Sequence, residues 1–319
     1  MQPALNPALS LVVPVYGNEG SIPALIAAIA GLHREMGGDF EAVLVVDGSP
    51  DRSHALLSEQ LAGEAFPAQL VSLSRNFGAF AAIRVGLAKA RGRVIAVMAA
   101  DLQEPPGLVQ RFHQALREDG GDVAFGVRES RADPWTSKLG SNLFWSTYRR
   151  FVNPDIPPGG VDIFALTARF RDQLLALPEA NSSLVAQLFW LGGRRHFVGY
   201  ERQPRSHGTS GWTVGKKFRY LSDSVFAFTD LPVRLLIALG AVAMAVAIGL
   251  SVLTLVARLS GWVAVPGYAG TMLAILFFGA FNALGLGVVG TYAWRAFENT
   301  KARPLAIIQT EQRFNEESS

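Results

Sequence analysis

The feature that most constrains this chain is a pair of long, uncharged, apolar stretches near its C-terminus. The first covers residues 235–257 and the second covers residues 268–294, and neither contains an acidic or basic side chain. A helix needs about 20 mostly apolar residues to cross the hydrocarbon core of a bilayer. We therefore predict two membrane-spanning helices, which makes the protein a multi-pass membrane protein.

The link between the two stretches, residues 258–267, is too short to hold a domain, so the spans are predicted to form a hairpin with both outer ends on one side. Most of the flanking basic residues lie on that side: Arg234, Arg295, Lys301 and Arg303, against Arg258 in the link. By the positive-inside rule, that side is the cytoplasm. Several glycines and Asn282 in the second span allow close helix packing, and with it a homo-oligomer.

Residues 214–228 come just before the hairpin and have the pattern of an amphipathic helix. Apolar residues recur at spacings of three and four: Val214, Phe218, Leu221, Val225 and Phe228. The polar face between them is basic, with Lys216, Lys217 and Arg219. We predict that this helix lies on the membrane surface, the alternative being a helix packed on a globular domain.

The first two hundred residues alternate between short apolar runs and longer amphipathic segments. The runs that predict strands cover residues 10–16, 40–46, 69–73, 94–100, 122–127, 161–166 and 196–203, the last strand we expect. The predicted helices cover residues 22–35, 52–62, an Ala-rich segment ending near 92, 107–118, 135–151 and 183–191. This alternation is typical of βαβ units and predicts an α/β domain with a mostly parallel sheet.

Right-handed crossovers place the loops after parallel strands at one edge of the sheet, where ligands bind in open α/β folds. Polar loops follow the first four runs, at residues 16–19, 47–51, 74–78 and 101–106. Asp101 directly follows a buried run, and alone it could be an ordinary turn residue. Four polar loops at one edge favour a site, and its carboxylates suit a hard divalent cation that neutralises a leaving diphosphate.

Several classes of protein are disfavoured by what the sequence lacks. It has no cysteine, which excludes disulfides and thiolate chemistry. Neither a G-x-G-x-x-G fingerprint nor a P-loop lysine motif occurs, which argues against a dinucleotide enzyme or an NTPase. The net charge of +3 gives no support to a nucleic-acid partner.

Six segments of the chain resemble glycosyltransferase family 2, and most closely its polyprenyl-phosphate branch, which includes dolichol-phosphate mannosyltransferase and bacterial undecaprenyl-phosphate glucosyltransferases. They read SLVVPVYGNEGSIPAL, VVDGSPDRS, SRNFGAFAAIRVGLAKARG, ADLQEPP, GVRESR and RSHGTSGW. The resemblance implies a Rossmann-like GT-A fold and inverting transfer of a sugar from a nucleotide-sugar donor to undecaprenyl phosphate or a similar lipid, with Mg²⁺ or Mn²⁺. It divides the chain into a GT-A domain (1–205), a juxtamembrane segment (206–232), the hairpin (233–295) and a cytoplasmic tail (296–319).

The resemblance also implies roles for single residues. Those matched to the nucleotide-sugar site are Pro14, Tyr16, Glu19, Asp47, Ser49, Asn76, Gly78, Arg205 and Ser210. Asp101 and Gln103 match metal ligands, and Arg128 and Lys138 match residues that bind the acceptor phosphate. Asp162 matches an acid facing the acceptor, and with Asp101 it is the predicted catalytic pair. A lipid phosphate is already largely ionised at neutral pH, so Asp162 needs only to orient the acceptor.

Simpler roles remain open for several of these residues. From the residues alone, Tyr16 and Glu19 could be loop-packing and helix-capping groups, and Asp47 could cap the turn before Pro50. Arg128, Lys138 and Arg205 could be solvated charges or membrane-surface anchors.

The sequence departs from the family pattern in four places, with Val46, Ala99, Phe164 and Gly211 standing where the family carries polar or charged residues. Ala99 matters most, because it replaces the first acid of a D-x-D motif. These departures motivate one alternative, a catalytically silent membrane scaffold or regulatory subunit. A processive polysaccharide synthase is a second, although the chain has no Q-x-x-R-W segment and only two predicted spans.

Overall fold

The structure is a computed structural model, and it describes residues 6–130, 146, 148–150, 153–157, 160–179, 182–203, 214–260 and 268–315. Within these residues the strands are β1 (Leu9–Val15), β2 (Phe40–Val46), β3 (Ala68–Leu73), β4 (Val94–Val97), β5 (Val123–Ser130), β6 (Phe164–Thr167), β7 (Arg195–Glu201) and β8 (Ile308–Phe314). They form one sheet in the order β7-β5-β6-β4-β1-β2-β3-β8. The pairs β1–β2, β2–β3, β1–β4 and β5–β7 are parallel, whereas β6 and β8 are antiparallel to their neighbours. The predicted mostly parallel α/β sheet is therefore confirmed.

The helices of the described residues are α1 (Ile22–Glu35), α2 (Ser53–Leu61), α3 (Ala79–Lys89), α4 (Gly107–Glu118), α5 (Ala168–Leu175), α6 (Leu184–Trp190), α7 (Val214–Phe228), α8 (Leu231–Leu259) and α9 (Tyr268–Thr300). The predictions for α1, α4 and α7 match these bounds to the residue. The helix predicted over 135–151 lies mostly outside the described residues.

Two apolar layers enclose the sheet. Leu25 of α1, Leu57 of α2 and Phe112 of α4 pack in the cluster on one face. Leu87 of α3 and Phe170 of α5 pack in the cluster on the other. Because both faces are covered, the central strands are apolar along nearly their whole length.

Three strand predictions need correction. The predicted strand 94–100 ends as β4 at Val97, because the following residues turn into the loop that carries Asp101. The strand predicted over 161–166 begins only at Phe164, so Asp162 precedes it. The strand predicted over 196–203 is β7 and is not the last, since β8 follows α9 in the chain and adds to the edge of β3.

The sheet opens between β1 and β4. Their pairing ends at Val12 opposite Val97, whereas β1 continues beside β2 as far as Val15 opposite Val46. The chain order also reverses here, since β2 and β3 lie on one side of β1 and β4 lies on the other. In doubly wound sheets, ligands bind in the crevice at such a switch point. Pro14 lies in the part of β1 beyond the last β4 pair, where a missing N–H costs least.

The helices α8 and α9 are long and apolar. They contain 29 and 33 residues, so at a rise of about 1.5 Å per residue each exceeds about 40 Å. Among the described residues, the candidate membrane spans within these helices are Leu231–Leu250 and Phe277–Thr300, with mean hydropathies of 2.4 and 1.2 and none of either window buried. By length and composition, both could cross a bilayer, which would cover side chains that the chain itself leaves exposed.

Candidate active site

The loops after β1 and β2 are tied together by hydrogen bonds. The amide of Gly17 donates to Ser49 Oγ at 2.8 Å, and Ser49 Oγ donates to Asp51 Oδ1 at 2.6 Å. The amide of Glu19 donates to Asp51 Oδ2 at 3.0 Å, while Glu19 Oε2 accepts from the amide of Arg52 at 3.0 Å. Glu19 thus accepts from the backbone just before α2, which is the capping role given above as the simpler alternative to nucleotide binding. Ser49 joins the two loops.

Asp51 organises this corner, although sequence reasoning assigned it no role. Partial burial alone would raise the pKa of its carboxyl. Hydrogen bonds from Ser49, from Ser53 and from the Glu19 amide outweigh burial and hold the pKa below its ordinary value. The available signal was its place in the run of turn formers Asp47 to Asp51, where a carboxylate commonly accepts from the backbone two residues on.

Asp47 is buried at the end of β2 and holds the next loop in place. Its two oxygens accept from the amides of Phe77 and Gly78 at 2.7 and 2.8 Å. Burial raises the pKa of Asp47, despite these hydrogen bonds and the nearby charge of Arg75. Both of its oxygens therefore bind backbone, and its predicted contact with the nucleotide remains a prediction.

The remaining residues predicted for the nucleotide-sugar lie around the same opening. Tyr16 follows β1 with half of its surface exposed, and Asn76 is exposed in the loop after β3. Gly78 precedes α3 with a φ of +97°, which favours glycine. Arg205 and Ser210 lie outside the described residues. Those that are described thus come together at one edge of the sheet.

The loop after β4 contains an unusual backbone conformation. Leu102 has a φ of +52°, in the left-handed region that non-glycine residues seldom adopt. Its neighbours Asp101 and Gln103 are the predicted metal ligands, and the Gln103 amide lies 3.4 Å from Asp101 Oδ1. Strained backbone of this kind concentrates at functional loops, where the surrounding structure holds it.

Gln103 is clamped to the end of β7. The amide of Gln203 donates to the Gln103 carbonyl at 2.8 Å, and Gln103 Nε2 donates back to the Gln203 carbonyl at 3.4 Å. Arg202 Nη2 donates to Gln103 Oε1 at 2.5 Å. The amide oxygen predicted to bind a metal therefore has a cationic partner that sequence reasoning did not anticipate.

Glu104 is a second residue that sequence reasoning missed. Its side chain is 2% exposed, and Oε2 has no hydrogen-bond partner among the described residues. Burial and the neighbouring charge of Asp101 raise the pKa of Glu104, and the guanidinium groups of Arg202 and Arg128 oppose the rise. The signal was an acid inside ADLQEPP next to two predicted ligands.

The structure brings Arg128 and Asp162 together as an ion pair, with their side chains 13% and 33% exposed. Tyr200 OH donates to Asp162 Oδ2 at 3.4 Å. Because β6 is antiparallel to β4, the residues that precede β6, Asp162 and Ile163, lie at the edge where β4 ends. That topology places Asp162 beside the Asp101 loop, although the two lie far apart in sequence. Lys138, the other predicted phosphate ligand, is outside the described residues.

The donor set near Asp101 fits a hard divalent cation. Asp101 offers a carboxylate and Gln103 an amide oxygen, while Ala99 offers no side-chain ligand. The described residues contain no group of three or more His, Cys, Asp or Glu that could hold a metal by themselves. Mg²⁺ is commonly held by one or two carboxylates together with substrate phosphates. The Asp101 carboxylate and the Gln103 amide oxygen therefore suffice if the diphosphate of the nucleotide-sugar completes the coordination shell.

The doubly wound sheet with acids at its switch point is the GT-A class of architecture that the resemblance implied. Within that class, the chain belongs to glycosyl transferase family 2, whose model matches residues 10–173, just over half of the 319 residues.

Relatives match the chain over nearly its whole length. An uncharacterised glycosyltransferase of Synechocystis is 31% identical over 94% of both chains. The undecaprenyl-phosphate 4-deoxy-4-formamido-L-arabinose transferase of Aeromonas hydrophila is 30% identical, over 94% of this chain and 91% of its own. A prophage bactoprenol glucosyl transferase homolog of Escherichia coli is 27% identical, over 94% of this chain and 98% of its own.

Proposed function

We propose that this protein transfers one sugar, with inversion, from a nucleotide-sugar to undecaprenyl phosphate or a similar polyprenyl phosphate, on the cytoplasmic side of a bacterial inner membrane. The observation that carries the proposal is the Arg128–Asp162 pair beside the Asp101 loop, in a chain with two helices of bilayer length. The names of the relatives support a lipid-phosphate acceptor. Those names carry different sugars, so we leave the sugar open.

The donor half of the site is the crevice at the end of β1. Tyr16 and Asn76 are exposed at its rim and can contact the nucleotide. Asp101 and Gln103 would hold Mg²⁺ or Mn²⁺, which supplies positive charge for the leaving diphosphate. Asp47, Ser49 and the other loop residues keep the rim in shape, because their hydrogen bonds join neighbouring loops.

The acceptor half centres on Arg128. Its guanidinium can bind the lipid phosphate, since arginine presents several N–H donors in a fork that matches phosphate oxygens. A phosphate oxygen attacks the anomeric carbon as the bond from that carbon to the diphosphate breaks. The lipid phosphate has a second pKa near 6, so its attacking oxygen is already ionised at neutral pH. Asp162 then orients Arg128 and the acceptor without taking a proton.

The test incubates the purified full chain in detergent with Mn²⁺, undecaprenyl phosphate and each of a panel of nucleotide-sugars. The lipid products are identified by mass spectrometry. We expect one donor to give a lipid carrying a single sugar. Asp101→Asn should lower the rate at least about a hundredfold, because it removes charge stabilisation at the leaving group. Arg128→Met should chiefly raise KM for the lipid.

Arg111→Met is the matched control, since Arg111 is an exposed arginine bonded to the Gly199 carbonyl of β7 and should tolerate replacement. Products with several sugars would instead indicate a processive synthase.

A catalytically silent scaffold is the second candidate, and the pairing of Arg202 with Gln103 beside Ala99 favours it. The same assay separates the two, because a scaffold would bind nucleotide-sugar and form no lipid-linked product with any donor.

We also propose that the chain divides as the resemblance implies, with α7 on the membrane surface and α8–α9 as a two-pass hairpin. Labelling of single cysteines in the link 258–267 from the periplasmic side would test that topology.

A further inference from the structure

Two charged groups beside the predicted metal ligands each have a buried atom without a hydrogen-bond partner among the described residues. The atoms are Oε2 of Glu104 and Nε of Arg202. They belong to side chains of opposite charge, and the positive charge of Arg202 favours the ionised form of Glu104. Buried polar atoms in native proteins are nearly always paired, so an unpaired carboxylate oxygen and an unpaired guanidinium Nε on neighbouring groups suggest a contact that is made in another state.

Arg202 also competes with a metal for one oxygen. Its Nη2 lies 2.5 Å from Gln103 Oε1, the amide oxygen predicted to bind the divalent cation. A guanidinium and a divalent cation repel each other and cannot both lie against that oxygen. Binding of the cation to Gln103 therefore requires the guanidinium of Arg202 to move away.

The end of β7 allows this movement without being dismantled. Two hydrogen bonds that do not involve the guanidinium hold it to the loop: Gln203 N to the Gln103 carbonyl, and Gln103 Nε2 to the Gln203 carbonyl. The Arg202 side chain can therefore change partner while its backbone stays fixed. Glu104 follows Gln103 directly, and its Oε2 is available as the new acceptor.

We propose that Arg202 is a positioning residue that holds the Gln103 amide oxygen until a divalent cation takes it, and then pairs with the buried carboxylate of Glu104. This inference rests on the proposed function, because it assumes a metal at Asp101 and Gln103. The exchange gives the guanidinium of Arg202 a new acceptor, Oε2 of Glu104, as the cation arrives. Because Ala99 supplies no acid, the metal binds at this site only if it displaces the guanidinium of Arg202 from Gln103.

The test measures Mn²⁺ binding directly, by electron paramagnetic resonance of free Mn²⁺ with the full chain in detergent. Arg202→Met removes the competitor, so Mn²⁺ should bind about tenfold more tightly. A gain in affinity cannot result from misfolding. Glu104→Gln removes the partner that receives Arg202, so Mn²⁺ should bind several-fold more weakly, and the loss should be smaller when Arg202→Met is also present.

Arg111→Met, at an arginine that bonds to β7 away from the loop, is the control and should leave Mn²⁺ affinity unchanged. Unchanged or weaker binding by Arg202→Met overturns the inference, as does an equal loss from Glu104→Gln in both backgrounds. If those results accompany sugar transfer and Asp101-dependent Mn²⁺ binding, the proposed function stands and only the role of Arg202 fails. Mn²⁺ binding that does not depend on Asp101 would overturn both this inference and the proposed metal site.

Discussion

Gly48 lies where the loops after β2 and β3 touch. Its φ is +57°, and a Cβ there would lie 2.3 Å from the carbonyl carbon of Arg75. We expect Gly48→Ala to destabilise the protein by about 3 kcal/mol or more, because strained φ and a clash with backbone add together. The melting temperature and the affinity for nucleotide-sugar should both fall.

Gly17→Ala is the matched control. Gly17 has a similar φ of +67° but nothing within 4 Å of its Cβ position, so only the conformational cost of about 1–2 kcal/mol remains. Equal losses for the two variants would show that the contact between the loops does not restrict Gly48.

Asp51 gives the site a dependence on pH. Its pKa in the folded protein is held below the ordinary value by hydrogen bonds that outweigh burial. A lowered pKa contributes stability above the unfolded pKa, and that stability is lost as pH falls through the folded pKa. The difference in melting temperature between the natural protein and Asp51→Asn should therefore be widest near neutral pH and narrow below about pH 4. Asp119→Asn, which removes an exposed carboxylate after α4 and outside this corner, is the matched control.

Much of the site could be predicted residue by residue, because strand ends and turn formers are local signals. Asp101 follows an apolar run, and Asp47 begins five turn formers, so both could be placed at the site edge from sequence. Arg202 and Glu104 could not be assigned, since their contacts depend on how the end of β7 meets the Asp101 loop. The contact of Asp162 with Arg128 likewise depends on the antiparallel direction of β6, which sequence periodicity does not report.

At the level of elements, the strands with two buried faces were predicted well and β8 was missed. An apolar run such as Phe40–Val46 has its own signal, and its observed bounds match the prediction. The sequence of β8, IQTEQRF, is polar and almost entirely exposed, so no buried face marks it as a strand. It forms because the edge of β3 offers unpaired backbone groups, which a second strand can satisfy.

Two truncations of the C-terminal tail test whether β8 stabilises the domain by pairing with β3. A chain ending at Ala306 loses the ladder to β3, the Lys89–Glu311 ion pair and the bonds from Asn315 to the Leu61 and Phe66 carbonyls. We expect its melting temperature to drop by several degrees, and the bared edge to promote aggregation. A chain ending at Asn315 keeps all of these contacts and should behave as the full chain. If the shorter truncation melts like the longer one, β8 contributes no stability.

At the level of the whole molecule, α8 and α9 lie in the chain between the strands at opposite edges of the sheet. The chain leaves the sheet from β7, at one edge, and returns after α9 as β8, at the other edge. Seven strand spacings of about 4.8 Å separate these edges by roughly 34 Å. If α8 and α9 span the bilayer as proposed, two such distant connections would restrict how the domain tilts relative to them, which suits a site that must meet a lipid phosphate.

A contact between α7 and α9 fixes this orientation further. Arg295 of α9 pairs with Asp223 of α7 at 2.6 Å and lies over the ring of Phe226, with side chains of the pair 15% and 29% exposed. Tyr148 OH bonds to Ser224 Oγ at 3.0 Å, which joins α7 to the domain core. The pair therefore belongs to a continuous connection from the domain core through α7 to α9.

Breaking that pair should impair use of the lipid while sparing the donor site. We expect Arg295→Met to lower sugar transfer to undecaprenyl phosphate about threefold to tenfold, equivalent to about 0.6–1.4 kcal/mol for the loss of this ion pair, with nucleotide-sugar affinity unchanged. The exchange of charges, Asp223→Arg with Arg295→Asp, should recover part of the loss because the pair can re-form. Arg234→Met is the control, since the Arg234–Asp230 pair is exposed and local to one turn, and such pairs contribute little. If Arg234→Met is as damaging as Arg295→Met, general loss of positive charge near the membrane explains the effect, and the α7–α9 contact has no orienting role.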